Sequence, residues 1–226
     1  MPQQPHGPLR SFGRIKSRPI KPRQAGLLDT LLPNIALDVS APIAPATLKP
    51  DASETWLEIG FGGGEHMAAQ ALRHPHALIL GAEPFLNGAA SALRHIDEQA
   101  LSNVRLHVGD ARDLLAQLPD ACLERVFIMF PDPWPKARHH KRRLVQPEFV
   151  AEIARVLKPG GRLRFATDWA DYADWALERW LASPALTWPA DRADDWRVPP
   201  ADHVTTRYEE KKLGDIAPVF LDFVRR

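Results

Sequence analysis

Three carboxylates recur at one kind of place in this chain. Glu58 closes the apolar run TWLEI, Glu83 closes ALILGAE and Asp110 closes NVRLHVGD. If each run is a strand of one parallel sheet, all three acids reach its carboxyl edge, where such sheets bind ligands. Directly after the first come Gly60, Gly62, Gly63 and Gly64, a run that lets backbone approach a ligand and leaves a helix N-terminus open. A nicotinamide fingerprint, Gly-x-Gly-x-x-Gly, requires glycine at 65, but the chain has Glu65, an anion where a pyrophosphate would lie. S-adenosylmethionine carries a sulfonium and an ammonium and no phosphate, so an acidic pocket suits it. On that reading Gly60 and Gly62 lie against the ligand, Glu83 accepts its ribose hydroxyls, Glu58 faces its amino-acid end, and Asp110 with Ala111 sits by the adenine. The competing role for each carboxylate is an ordinary helix N-cap.

A second constellation follows the most apolar run, LERVFIMF: the segment FPDPWPKARHHKRR at 130–143. Asp132 stands between two prolines that restrict the backbone on both sides, which fixes a carboxylate at the same edge. Trp134 either stacks on a base or packs under the loop. Lys136, Arg138, Lys141, Arg142 and Arg143, with His139 and His140 among them, match the density of positive charge that contacts phosphates. A solvated charge run is the plainer alternative. The histidine pair has no further ligand at metal-binding spacing. Asp168 ends the run GRLRFATD, and Thr205, Thr206, Arg207, Tyr208 and Glu209 form a polar group able to hydrogen-bond a base edge.

The elements that must position these groups alternate. Strands are expected at 55–59, 77–83, 103–110, 123–130 and 161–168, and helices at 66–74, 85–100, 111–118, 148–158 and 171–182, with Pro159-Gly160-Gly161 as a helix stop. That rhythm predicts an α/β domain with a mostly parallel sheet covered on both faces. The stretch near Pro42, Pro45 and Pro50 reads as an extended lead-in, and 205–215 with 219–226 as a late pair of edge strands.

Composition sets the bounds. The chain has 226 residues, enough for one core, and one cysteine, Cys122, which rules out an internal disulfide framework and a cysteine-cluster metal site. Lacking a long apolar run and a secretory signal, it is expected in the cytoplasm. The net charge of +1 hides an asymmetry: six basic residues and no acid precede Asp29, leaving 23 basic against 28 acidic residues, or −5, in the remainder. Residues 1–28 therefore read as a mobile basic arm and 29–226 as the folded domain. From the residues alone, rival readings are a methyltransferase of small molecules or proteins, a non-catalytic RNA-binding module and, weakened by Glu65, a nicotinamide oxidoreductase.

Taken together, EIGFGGGE, GAE, GDA, FPDPWPKARHHKRR, TDW and TRYE closely resemble the bacterial tRNA (guanine-N7-)-methyltransferase family over roughly 52–226. The resemblance implies a class I methyltransferase (Rossmann-like) fold, with seven strands ordered 3-2-1-4-5-7-6 and the seventh antiparallel. It implies methylation of guanosine 46 of the tRNA variable loop at N7, by an enzyme that is a monomer or homodimer and needs no obligatory protein partner. It assigns cofactor contacts to Glu58, Glu83, Asp110 and Asp132, with Asp132 also catalytic. Substrate binding falls to Lys136, Asp168, Thr206, Arg207, Tyr208 and Glu209, and RNA interaction to Arg138, His139, His140, Lys141, Arg142 and Arg143.

Overall fold

The computed structural model describes residues 19–226. Short helices α1 (Pro22–Thr30), α2 (Leu32–Ile35) and α3 (Pro45–Leu48) lead into β1 (Glu54–Ile59), α4 (Glu65–Arg73), β2 (Ala77–Ala82), α5 (Leu86–Glu98), β3 (Val104–His107) and α6 (Ala111–Gln117). Then follow β4 (Leu123–Met129), a 3₁₀ turn (Ala137–Arg142), α7 (Pro147–Val156), β5 (Leu157–Thr167), α8 (Ala170–Leu181), β6 (Leu186–Thr187), α9 (Asp194–Arg197), α10 (Arg207–Glu210) and β7 (Val219–Arg225).

The strands form one seven-stranded sheet in the order β3-β2-β1-β4-β5-β7-β6. The first five are parallel, and β7 runs antiparallel to both β5 and β6. This is the class I methyltransferase order that the resemblance implies. Both faces are buried, which is why the central strands read as continuous apolar runs. Leu57, Ile59, Leu80 and Ile128 pack toward α6, α7 and α8, while Trp56, Ile79 and Phe127 pack toward α4 and α5. Side chains alternate along a strand, so Glu58 shares the face of Trp56 and is delivered toward α4.

Three local expectations change. The pair of strands at 205–215 and 219–226 does not form: Val219–Arg225 is a strand, but its partners are β5 and the two-residue β6, and Arg207–Glu210 is helical. The cause is a capping box, in which the Thr206 side chain accepts from the Glu209 backbone N–H and the Glu209 carboxylate accepts from the Thr206 N–H. The Pro-Gly-Gly stop lies inside β5, where a register shift between Leu123 and Arg125, and Gly160 at φ +80°, absorb the extra residues. The lead-in is not extended throughout, since Pro45–Leu48 is a helical turn and Ile43 is buried. The basic-arm reading falls mostly outside the described residues; within them, Pro22–Thr30 is a helix that spans the boundary drawn at 28, and Arg23 pairs with Asp97 and Glu98 of α5, both at 3.0 Å. Among the described residues no helix is long and apolar enough to cross a membrane.

Candidate active site

The carboxyl ends of β1, β2 and β4 and the segments that follow them enclose a cleft of about 950 Å³. Its first wall is the glycine loop. Gly60 and Gly62 have φ of +72° and +52°, and a Cβ on either would project into open space. Side chains seldom adopt that backbone, and here their absence leaves room for a ligand. Gly88, at the start of α5, lets the loop close in: a Cβ there would stand 2.5 Å from the Gly62 carbonyl oxygen.

Glu83 is 8% exposed, and its carboxylate accepts from the Gly62 N–H at 2.9 Å and the Phe85 N–H at 2.8 Å. Burial raises its pKa above the usual glutamate value, and nearby Asp132 adds to the rise, against those two hydrogen bonds. Two N–H groups use only part of the acceptor capacity of a carboxylate, so Glu83 retains lone pairs for further donors. Glu58 is 2% exposed, and its Oε2 lies 2.6 Å from His66 Nδ1. Asp110 does cap α6, accepting from the Arg112 N–H at 3.0 Å and pairing with its guanidinium at 2.8 Å, and it lines the cleft as well, beside Ala111.

The opposite wall starts where β4 ends. Phe130 at φ +54° and Trp134 at φ +45° bracket the Pro131-Asp132-Pro133 turn with left-handed backbone that such residues rarely adopt. The surroundings hold it: Phe130 N–H donates to the Ala166 carbonyl at 2.8 Å, and Arg143 Nε donates to the Pro133 carbonyl at 2.8 Å. Asp132 is open to the cleft, yet the protein mass around the concavity raises its pKa above that of an ordinary aspartate. The Tyr208 ring lies 5.7 Å from that of Phe130, centroid to centroid, so aromatic surface faces the cleft beside Asp132. Trp134 lines the cleft too, edge-on to His139, with the Arg142 guanidinium 5.0 Å from its ring centroid.

The basic run does not act as one surface. A 3₁₀ helix repeats every three residues, so positions three apart share a side. Arg138 and Lys141 share one and are exposed. His139 and Arg142 flank Trp134, with Lys136 exposed at the start of the same row. His140 and Arg143 turn inward to α8, where His140 Nε2 lies 3.4 Å from the Asp171 carboxylate. Arg143 is 1% exposed, pairs with Asp171, and has its guanidinium about 5 Å from the rings of Tyr172 and Trp175. Its assignment to RNA contact is therefore corrected: it is the internal brace of the turn. His139 is held below the usual histidine pKa, by desolvation and then by its cationic neighbours, so it adds little charge near neutral pH.

The 206–209 group divides in the same way. Arg207 and Tyr208 face the cleft, as does Lys211 one turn on. The Glu209 side chain is 9% exposed and is spent on Thr206 and on His203, whose Nε2 lies 2.8 Å away. Burial opposes its ionisation, but these partners bring its pKa below the usual value. Glu209 thus holds the segment, and Thr206, which also lines the cleft, spends its hydroxyl on Glu209. Asp168 is 4% exposed and sits behind Tyr208, 3.5 Å from its hydroxyl, while accepting from the Gly214 N–H at 3.0 Å. Lys136 and Asp168 lie outside the lining of the cleft. The sequence reading missed Lys211, although its spacing from Arg207 puts both on one helical face, and it missed His66, which nothing in its local pattern marks.

Residues 52–219 match the family described as "Putative methyltransferase". The tRNA (guanine-N(7)-)-methyltransferase of Caulobacter vibrioides is 71% identical over 224 residues, covering 99% of this chain and 98% of that protein. The one from Hyphomonas neptunium is 51% identical over 216 residues, covering 95% and 99%. Among solved structures, the antibiotic-resistance methyltransferase Kmr superposes with a TM-score of 0.55 at 14% identity, over 82% of this chain and 94% of that one. The 16S rRNA methyltransferase KamB gives 0.53 at 14%, over 79% and 91%. At such identities these two speak to the fold alone. With two relatives above 50% identity along nearly its full length and the strand order of the class, the chain belongs to the tRNA (guanine-N(7)-)-methyltransferase family.

Proposed function

We propose that this protein transfers the methyl group of S-adenosylmethionine to N7 of guanosine 46 in the variable loop of tRNA. The observation that carries the reading is one cleft with two unlike walls: buried carboxylates and a glycine loop opposite Asp132, aromatic rings and a cationic rim. The first wall fits the cofactor, because the open side of Gly60 and Gly62 admits its backbone-like tail and the spare lone pairs of Glu83 match a pair of ribose hydroxyls. Glu58 takes the ammonium, and Asp110 and Ala111 border the adenine.

Bound S-adenosylmethionine supplies an electrophilic methyl group. Guanine N7 carries an in-plane lone pair and no hydrogen, so the protein needs no strong base and works by alignment and charge. Asp132 accepts from the N1–H and N2–H edge of the guanine and favours the positive charge that develops on the base. Phe130, Tyr208 and Trp134 supply stacking surface for a guanosine drawn out of its tertiary stack. Arg138, Lys141 and Lys136 contact phosphates, and Arg207 and Lys211 border the entrance. A tRNA substrate is consistent with a cytoplasmic reaction. The test is to incubate the protein with methyl-labelled cofactor and unmodified bulk tRNA and identify the labelled nucleoside. Label in 7-methylguanosine supports the reading; label in any other nucleoside overturns the assignment to N7.

A further inference from the structure

Behind the cofactor wall lies a buried polar chain that the mechanism above does not use. His66, on the first turns of α4, is 1% exposed and Gln70, one turn on, is also 1% exposed. Gln70 Nε2 lies 3.1 Å from His66 Nε2 and donates to the Asp202 carbonyl at 2.9 Å. An amide nitrogen can only donate, and the carbonyl fixes which end of the Gln70 amide is nitrogen, so its two hydrogens go one to the carbonyl and one to the ring. A ring nitrogen that accepts carries no proton, and His66 is thereby set as the Nδ1–H tautomer. Its remaining proton points at Glu58 Oε2, 2.6 Å away. Asp202 anchors the far end through Arg164 at 2.6 Å, and Arg73 also donates to its carbonyl, at 2.8 Å.

We propose that His66 and Gln70 are positioning residues for cofactor binding. They fix one oxygen of Glu58 with an uncharged donor and leave the other oxygen, and the full negative charge, for the ammonium at the amino-acid end. An imidazolium in the same place would cancel the charge on which that recognition depends. Because the chain ends on the Asp202 carbonyl, four residues before the cap of α10, the same bonds tie the cofactor wall to the segment that presents Arg207 and Tyr208. This inference rests on the assignment of Glu58 to the amino-acid end.

The test compares two ligands of the full-length protein by calorimetry. S-adenosylhomocysteine has the amino-acid end, and 5′-methylthioadenosine lacks it. His66→Ala is expected to weaken S-adenosylhomocysteine about tenfold or more, the usual order for losing a hydrogen bond to a charged group, while methylthioadenosine keeps its affinity. His66→Asn, whose amide nitrogen stands near the place of Nδ1, is expected to restore most of the loss. General damage to the glycine loop weakens both ligands together and would overturn the proposal, as would unchanged S-adenosylhomocysteine binding in His66→Ala. Glu58→Gln separates the two levels. If it leaves S-adenosylhomocysteine binding intact, the assignment of Glu58 fails; if it weakens binding but His66→Ala does not, the positioning role alone fails. Nitrogen NMR of the His66 ring gives a direct check, with the Nδ1–H tautomer expected and a doubly protonated ring contradicting it.

Discussion

The two walls of the cleft are built on different terms. On the glycine-loop wall, Glu58 and Glu83 are buried and held by partners from the adjoining loop and helix, so burial and bracing coincide. On the opposite wall they separate. Within 136–143 and within 206–209, some polar residues reach outward and their neighbours of the same type hold the backbone that presents them. A site that must admit a small ligand is shaped by burial, whereas one that must meet a large polyanion needs exposed groups on a braced scaffold.

The sharpest way to break this contrast is at Asp132, the exposed carboxylate that faces the buried acids across the cleft. Asp132→Asn keeps the shape and removes the charge. Single-turnover methyl transfer is expected to fall about 10²–10³-fold, the range for losing one preorganised electrostatic contact, with tRNA affinity changed little in a filter-binding titration. A rate within a few-fold of the native value would remove Asp132 from catalysis.

The next largest effect separates Arg143 from its neighbours. Arg143→Ala is expected to lose about 2–3 kcal/mol of stability, since buried hydrogen bonds, an ion pair and two ring contacts disappear together. Denaturant unfolding measures it. Arg143 holds Asp171 below the usual carboxylate range, foremost through their hydrogen bond, so that pair stabilises the native state fully above the ordinary aspartate pKa and is lost as pH falls through the lowered value. The variant should lack that part of the acid dependence. Arg138→Ala with Lys141→Ala is expected to leave unfolding unchanged and to flatten the dependence of log affinity for tRNA on log salt by about one to two, as expected for two phosphate contacts. An unaltered slope would take both side chains out of the contact set.

Much of this was legible from the chain, and the exceptions have a physical pattern. Strands that end in acids announce an acidic cleft wall because sheet topology gathers strand ends in one place, whatever the side-chain detail. Arg143 could not be told from Arg142 in sequence, because what separates them is the three-residue repeat of the turn and the distant partners Asp171 and Trp175. Thr206 and Glu209 were a different matter. Thr-x-x-Glu is a capping-box pattern, and reading it would have predicted a helix start where a strand was expected. The Glu58–His66 pair joins a strand to the helix that follows, and only the face on which each residue lands brings the two together.

The smallest expected effect links the walls. Burial chiefly, and then Asp132, raises the pKa of Glu83. Affinity for S-adenosylhomocysteine should therefore decline as pH falls, with a midpoint above that of an ordinary glutamate. In Asp132→Asn that midpoint should move lower, because one source of repulsion is gone. A pH series of binding isotherms reads both; a midpoint that moves upward would contradict the coupling.

The central claim is tested most directly by mapping the product. tRNA methylated by the protein is reduced with borohydride and cleaved with aniline, which cuts the chain at 7-methylguanosine. The account predicts a single cut at guanosine 46 of the variable loop. Cuts at other guanosines, or an uncut but methylated tRNA, would contradict it.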